Sequence, residues 1–197
     1  MSADRRALVA PPTPRDFSKI YNICVVCLGN ICRSPMAEIL IRAELAAAGL
    51  ADRVSVQSAG TGDWHLGERM DRGARAELSR RGFDGSAHRA RQIAPDWLDR
   101  FDLLIAMDQS NQSGLRRMAA GKSAGGSGGS SPQASTDLAD RIRLLRSFDP
   151  QAPDGGEVPD PYGGGPDEFA EVFELIAAAA KGLVGELAAM FADPGDG

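Results

Sequence analysis

Histidine and tyrosine each occur only twice in this sequence of 197 residues, and cysteine only three times, as Cys24, Cys27 and Cys32. Three cysteines crowded into one short segment cannot staple a secreted fold, and with two histidines elsewhere they leave little for a zinc site. Their chemistry therefore points to reactivity rather than structure. Basic residues are outnumbered: 22 Lys and Arg against 27 Asp and Glu leave a net charge of -5. That deficit argues against nucleic acid or an anionic membrane as the main partner, since both require a surplus of positive charge. The sequence also shows no uninterrupted apolar run that would span a bilayer. Residues 1–20 lack the apolar core of a signal peptide, so a cytoplasmic location is expected.

With 43% hydrophobic and 25% charged residues, the composition is that of one globular domain. Residues 1–20, with Pro11, Pro12 and Pro14, are expected to be a disordered extension, residues 21–192 the domain, and residues 193–197 a tail. Hydrophobic periodicity predicts strands over 23–26, 54–57, 102–107 and 142–145. Helices are predicted over 36–48, with Pro35 in the first turn and Gly49 closing it, and over 71–80, 95–101 and 108–120, the last opened by Asp108. The clearest helix, 167–191, carries an apolar stripe of Phe169, Val172, Phe173, Ile176, Leu183, Val184 and Leu187. Strands alternating with helices imply an α/β fold: a single domain with a short four-stranded parallel sheet, helices on both faces, and a phosphate loop after the first strand. The low-complexity stretch 121–136 is expected to be a flexible insertion. Its GKS does not complete a nucleotide-binding loop, because the first glycine of that pattern would fall on Arg116.

The stretch VCLGNICRSPMAE, starting at Val26, places a cysteine and an arginine at the two ends of a loop between a strand and a helix. Such a loop turns backbone N–H groups inward at the positive end of the helix dipole, a cradle for a tetrahedral dianion. Gly29 allows close backbone approach, Asn30 tolerates a left-handed conformation, and Arg33 offers a planar fork for two phosphate oxygens. The same positive field favours Cys27 as a thiolate nucleophile, with Ser34 placed to donate a hydrogen bond to it. Asp160, in EVPDPYGGG, is a candidate proton donor on a loop that could overhang the cradle.

CLGNICRSP followed by SAGT, MDQSN, RSFDP and DPY resembles the low-molecular-weight protein-tyrosine phosphatase family, particularly its bacterial members. The resemblance implies that Cys27 is the nucleophile, that Arg33 binds the phosphoryl oxygens, and that Asp160 is the general acid and then base around a phosphocysteine intermediate. It further implies that Leu28, Gly29, Asn30, Ile31, Cys32 and Ser34 contact the substrate, while Ser58 pins the loop through Asn30. Trp64 and Tyr162 are implied as aromatic walls of a deep slot that favours phosphotyrosine-containing protein substrates. Neither metal nor cofactor is implied, and the sequence is silent on oligomeric state. One departure stands out: Gly163 follows Tyr162 where many members carry a second tyrosine.

Other residues have plainer readings. Cys24 is expected as a small buried hydrophobe. Cys32 is either a loop residue chosen for size or, by the resemblance, the partner of Cys27 in a protective disulfide. His65 and His88 are expected to brace loops or lie at the surface, and Asp149 to belong to the scaffold. Asp108 is expected as a helix cap with a possible second role in supporting the acid loop. Three rival functions are compatible with parts of this sequence. A protein-arginine phosphatase of the same fold is disfavoured because its members tend to carry Thr where Ile31 stands. A thiol-coupled arsenate reductase would need cysteines beyond Cys32, and a silent phosphotyrosine-binding module would be expected to have lost Cys27, Arg33 or Asp160.

Overall fold

The computed structural model describes residues 9–125 and 138–192. Strand β1 (Tyr21–Cys27) lies inside a four-stranded parallel sheet of order β2-β1-β3-β4, with β2 (Val54–Gly60), β3 (Leu103–Ala106) and β4 (Ile142–Leu144). Parallel strands covered on both faces are apolar throughout, and successive side chains of β1 feed opposite cores. Ile23 and Val25 join the core built with helices α1 (Arg33–Ala47) and α4 (Pro166–Ala192). Cys24 and Val26 join the other, with Leu115 of α3 (Gln109–Gly125) and Leu98 of a 3-10 turn at Pro95–Arg100. Helix α2 (Arg72–Arg80) is capped by Asp71, whose carboxylate accepts from the N–H groups of Gly73 and Ala74. All seven residues of the expected stripe on α4 are buried.

Several boundaries differ from the expected ones for physical reasons. Helix α1 begins at Arg33, not at residue 36, because Arg33 and Ser34 are polar residues buried towards the loop and so carry no apolar period. Helix α3 runs to Gly125, beyond the expected end at 120, since an established helix adds a hydrogen bond per residue and can carry through GKSAG despite its glycines. The rest of the expected insertion, 126–136, lies outside the described residues. Residues 9–20 are not the free extension that proline content suggested: Pro11 and Pro14 are buried, Tyr21 Oη donates to the Pro12 carbonyl at 2.8 Å, Arg15 pairs with Asp102 at 2.8 Å, and Phe17 meets Phe191 edge-on. The contacts come from the domain's own surface, which local composition does not report. Helix α4, at 27 residues with a mean hydropathy of 1.6 in its most apolar window, has the length and composition of a membrane-crossing helix, unlike anything expected from the sequence. Its apolar side is buried in the core, while Glu168, Glu171, Glu174, Lys181 and Glu186 interrupt the rest.

Candidate active site

β1 ends at Cys27, and the chain reaches α1 through only five residues, 28–32. Four loop carbonyls are drawn outward. Thr61 N–H donates to Cys27 O at 2.9 Å, Gly62 N–H to Leu28 O at 2.9 Å, His88 Nε2 to Asn30 O at 2.7 Å, and Asp71 N–H to Ile31 O at 2.8 Å. Across a planar trans peptide the following N–H points the opposite way. The amides of Leu28, Gly29, Ile31 and Cys32 therefore line the concave side, next to the N-terminus of α1, as an anion cradle needs. Gly60 permits this closeness: a Cβ there would sit 2.7 Å from Leu28 O.

Asn30 organises the loop. It is the one non-glycine residue at positive φ (55°) among the described residues, and it is fully buried. Its Oδ1 accepts from the Arg91 N–H at 2.8 Å, which fixes the orientation of the amide. Nδ2 then gives its two hydrogens to Ser34 Oγ and Ser58 Oγ, each at 2.9 Å. Ser58 passes its own hydrogen to the Glu38 carboxylate at 2.5 Å, and Glu38 pairs with Arg42 at 2.8 Å. The hydroxyl of Ser34 retains one hydrogen, and two acceptors are in reach: Cys27 Sγ at 3.0 Å and Ala59 O at 3.2 Å. Cys27 Sγ also accepts from the Asn30 N–H at 3.2 Å. The sulfur thus has one fixed donor, the Asn30 N–H, and the Ser34 hydroxyl within reach as a second, an arrangement that suits a negative charge.

Arg33 is buried and joins the loop to the acid segment. Nη1 donates to Asp108 Oδ2 at 2.6 Å and to Val158 O at 3.2 Å, and Nη2 donates to Asp160 Oδ2 at 2.6 Å. Val158 N–H is in turn held by Met107 O at 2.8 Å, beyond the end of β3. Asp108 serves twice, since its Oδ1 accepts from Asn111 N–H at 2.6 Å to cap α3 while Oδ2 holds Arg33. A cavity of about 390 Å³ opens above Cys27 and Arg33, with Leu28, Ile31, Trp64 and Tyr162 on its walls and Asp160 at its edge. Every residue expected to catalyse or contact substrate borders this cavity except Asn30 and Ser34, which lie beneath the loop.

The other cysteines are buried thiols: burial pushes Cys24 up to about 12 and raises Cys32 as well. Asp149 is buried against Arg146 at 3.2 Å, in the scaffold as expected. Sequence logic passed over Glu38 and Arg91, and it read His65 and His88 only as loop-bracing or surface residues, whereas His65 lines the slot and His88 holds Asn30 O. Glu38 had a usable signal, since it lies four residues after Ser34 on one helix, so both face the loop. His88 and Arg91 had none, because they act from a segment bridged to the end of β2, with Gly60 N–H donating to Arg91 O at 2.7 Å.

Residues 22–192 match the family model described as low molecular weight phosphotyrosine protein phosphatase. A low molecular weight protein-tyrosine-phosphatase of Streptomyces coelicolor is 44% identical over 165 residues, covering 83% of this chain and 92% of that protein. The low molecular weight protein-tyrosine phosphatase A of Mycobacterium tuberculosis is 39% identical, covering 85% and 91%. Among solved structures, YfkJ from Bacillus subtilis superposes with a TM-score of 0.71 at 35% identity, covering 88% of this chain and 97% of that one. A protein tyrosine phosphatase from Entamoeba histolytica superposes with a TM-score of 0.72 at 28% identity, covering 85% and 96%.

Proposed function

The chain belongs to the low molecular weight phosphotyrosine protein phosphatase family, and from that premise we propose that Cys27, Arg33 and Asp160 hydrolyse phosphotyrosine in protein substrates through a phosphocysteine intermediate. The observation that carries these roles is their convergence on one cavity, with the Cys27 sulfur at the mouth of a loop whose amides face inward and Arg33 reaching both that cavity and Asp160. A phosphate dianion entering the cradle takes the loop amides as its ligands and displaces the Asp160 carboxylate from Arg33 Nη2, so that the fork turns to the phosphate and Asp160 is free to carry a proton. The Cys27 thiolate attacks phosphorus as the bond to the tyrosyl oxygen breaks, and protonated Asp160 delivers its proton to that oxygen. Water then attacks the phosphocysteine while the Asp160 carboxylate removes its proton. The sulfur leaves as a thiolate that the Ser34 hydroxyl and the Asn30 N–H receive.

The aromatic walls support selection for phosphotyrosine, since only a long, flat side chain carries its phosphorus past Trp64 and Tyr162 to the sulfur. Gly163 has φ of +80°, a conformation that strains any side chain, so the rim past Tyr162 stays open. We place the enzyme in a reducing compartment, the cytoplasm, because its three cysteines are free thiols and its nucleophile is one of them.

The test compares kcat/KM, without added metal, for matched phosphotyrosine, phosphoserine and phosphoarginine peptides, with Cys27→Ser in parallel. Preference for phosphotyrosine together with loss of turnover in Cys27→Ser is expected. Preference for phosphoarginine would refute the reading of the slot, and turnover by Cys27→Ser would refute the nucleophile.

A further inference from the structure

Past Tyr162 the open rim leads to a second concavity. Helix α2 and the start of α4 enclose about 270 Å³ there, where Gly73, Ala76 and Arg80 meet Gly164, Gly165 and Phe169. It adjoins the slot on both sides. Tyr162 lines the slot and Gly164 the concavity, two residues apart and so within about 7 Å. Opposite them Ile31 lines the slot, its carbonyl accepts from the Asp71 N–H at 2.8 Å, and Asp71 Oδ1 accepts from the Gly73 N–H at 2.7 Å. Gly163 leaves the way between the two clear, since even a Cβ there would meet nothing within 4 Å. The floor is closely packed: a Cβ on Gly73 would sit 2.3 Å from Phe169 Cε2, so the ring rests on the backbone of α2.

We propose that this concavity is an exosite that receives one apolar side chain of the substrate, best an aromatic one, two or three residues from the phosphotyrosine. The inference rests on the phosphatase reading above. An extended peptide advances about 3.3 Å per residue, so a chain with its phosphotyrosine in the slot crosses the ridge at Gly163 within that spacing. The space is smaller than the roughly 300–1,000 Å³ of pockets that hold a drug-sized ligand, and suits one side chain. Its lining sets the chemistry. Glu77, the one carboxylate there, is 4% exposed, with Oε2 engaged by Arg80 Nε at 2.9 Å and Oε1 by Arg81 Nε at 3.0 Å. What remains for a ligand is the carbon of Ala76, Pro166 and Phe169, with the exposed Arg80 guanidinium fixed at the edge. An aromatic ring gains from both, stacking on Phe169 and meeting the cation, whereas a lysine is repelled. This contact is remote from phosphorus and equal in ground and transition states, so it lowers KM and leaves kcat alone.

The experiment uses the full chain and phosphotyrosine peptides with alanine elsewhere, save a single Phe or Leu placed two or three residues before or after the phosphotyrosine. At one of these positions Phe is expected to raise kcat/KM about tenfold over Ala, through KM, the effect of burying roughly half of an aromatic side chain. Ala76→Glu lays a charge across the pocket, and its new side chain stands four residues before Arg80, a pairing that supports the helix. In that variant the advantage of Phe disappears, while an aryl phosphate too small to reach the pocket is turned over as by wild type. Arg80→Gln, at a side chain 60% exposed, keeps the floor and lowers the advantage of Phe over Leu, which decides the matter if α2 does not accept the first change. Equal kcat/KM for Phe and Ala at every position, or an advantage that persists in both variants, would overturn the inference while leaving the phosphatase intact. Turnover of the aryl phosphate that varies with enzyme concentration in wild type but not in Ala76→Glu would give the pocket to a second copy of the chain and overturn it as well. Absence of turnover for the aryl phosphate and every peptide by wild type would overturn the phosphatase reading, and this inference with it.

Discussion

Replacing Asn30 by alanine removes the residue that shapes the phosphate loop, and the structure allows the cost to be worked out. The backbone at φ 55° is tolerated by asparagine, while alanine there costs about 1–2 kcal/mol. Two hydrogen bonds from Nδ2, to Ser34 and Ser58, are lost at about 1 kcal/mol each. The Arg91 N–H, which donates to Oδ1, loses its acceptor, a further cost of about 1–3 kcal/mol if no water replaces it. Neighbouring terms do not simply add, so the expected destabilisation is about 4 kcal/mol, a large part of the roughly 5–15 kcal/mol that holds a domain of this kind together. Asn30→Gly separates the two contributions, because glycine accepts the left-handed backbone yet makes none of the side-chain bonds; it is expected to be about 1 kcal/mol more stable than the alanine variant. Urea unfolding of the three proteins, with m-values compared to confirm like transitions, supplies the numbers. A cost below about 1 kcal/mol for Asn30→Ala, or a glycine variant no more stable than the alanine one, would refute the view that this residue and its left-handed backbone hold the loop.

Asp160→Asn is expected to lower kcat by about 10²–10⁴ for phosphotyrosine peptides and by much less for an aryl phosphate with an acidic leaving group, which needs no proton. Equal losses on both substrates, measured at saturation, would deny Asp160 the role of acid. Asp108→Ala removes one of the two carboxylates that Arg33 meets at 2.6 Å, leaving only Asp160, and takes the cap from α3; about 1–2 kcal/mol of stability should go in urea unfolding, with a raised KM for phosphotyrosine peptides as the fork loses its orientation. Burial holds the His88 pKa below that of an ordinary imidazole, so the unfolded chain binds this proton more tightly. Its contribution to stability is full above about pH 6.5 and is lost as pH falls below that value. Thermal unfolding at about pH 7.5 and pH 5.5 should therefore show a smaller acid loss of Tm in His88→Gln than in wild type.

The alternation of strands and helices was legible because it rests on local periodicity, and β1 and the stripe of α4 show it most plainly. The cysteine–arginine loop was legible because its chemistry is local too, spanning Cys27 to Ser34. What escaped was long-range. The start of α1 at Arg33 carries no apolar signal, since the residues there are buried for polar reasons. Pro11 and Pro14 read as disorder by composition, yet both are buried, in a segment whose Pro12, Arg15 and Phe17 meet Tyr21, Asp102 and Phe191. His88 and Arg91 reach Asn30 from about 60 residues away in sequence, and His65 enters the slot through a loop whose course is set by backbone hydrogen bonds to Ala90 and not by any side-chain pattern.

The central claim is that the Cys27 sulfur carries the phosphoryl group during turnover. Rapid acid quench of the Asp160→Ala variant with a phosphotyrosine peptide, followed by mass spectrometry of the proteolysed protein, addresses it directly. A phosphate adduct is expected on the peptide containing Cys27, absent in Cys27→Ser. Turnover without an adduct on that peptide, or with one on another residue, would contradict it.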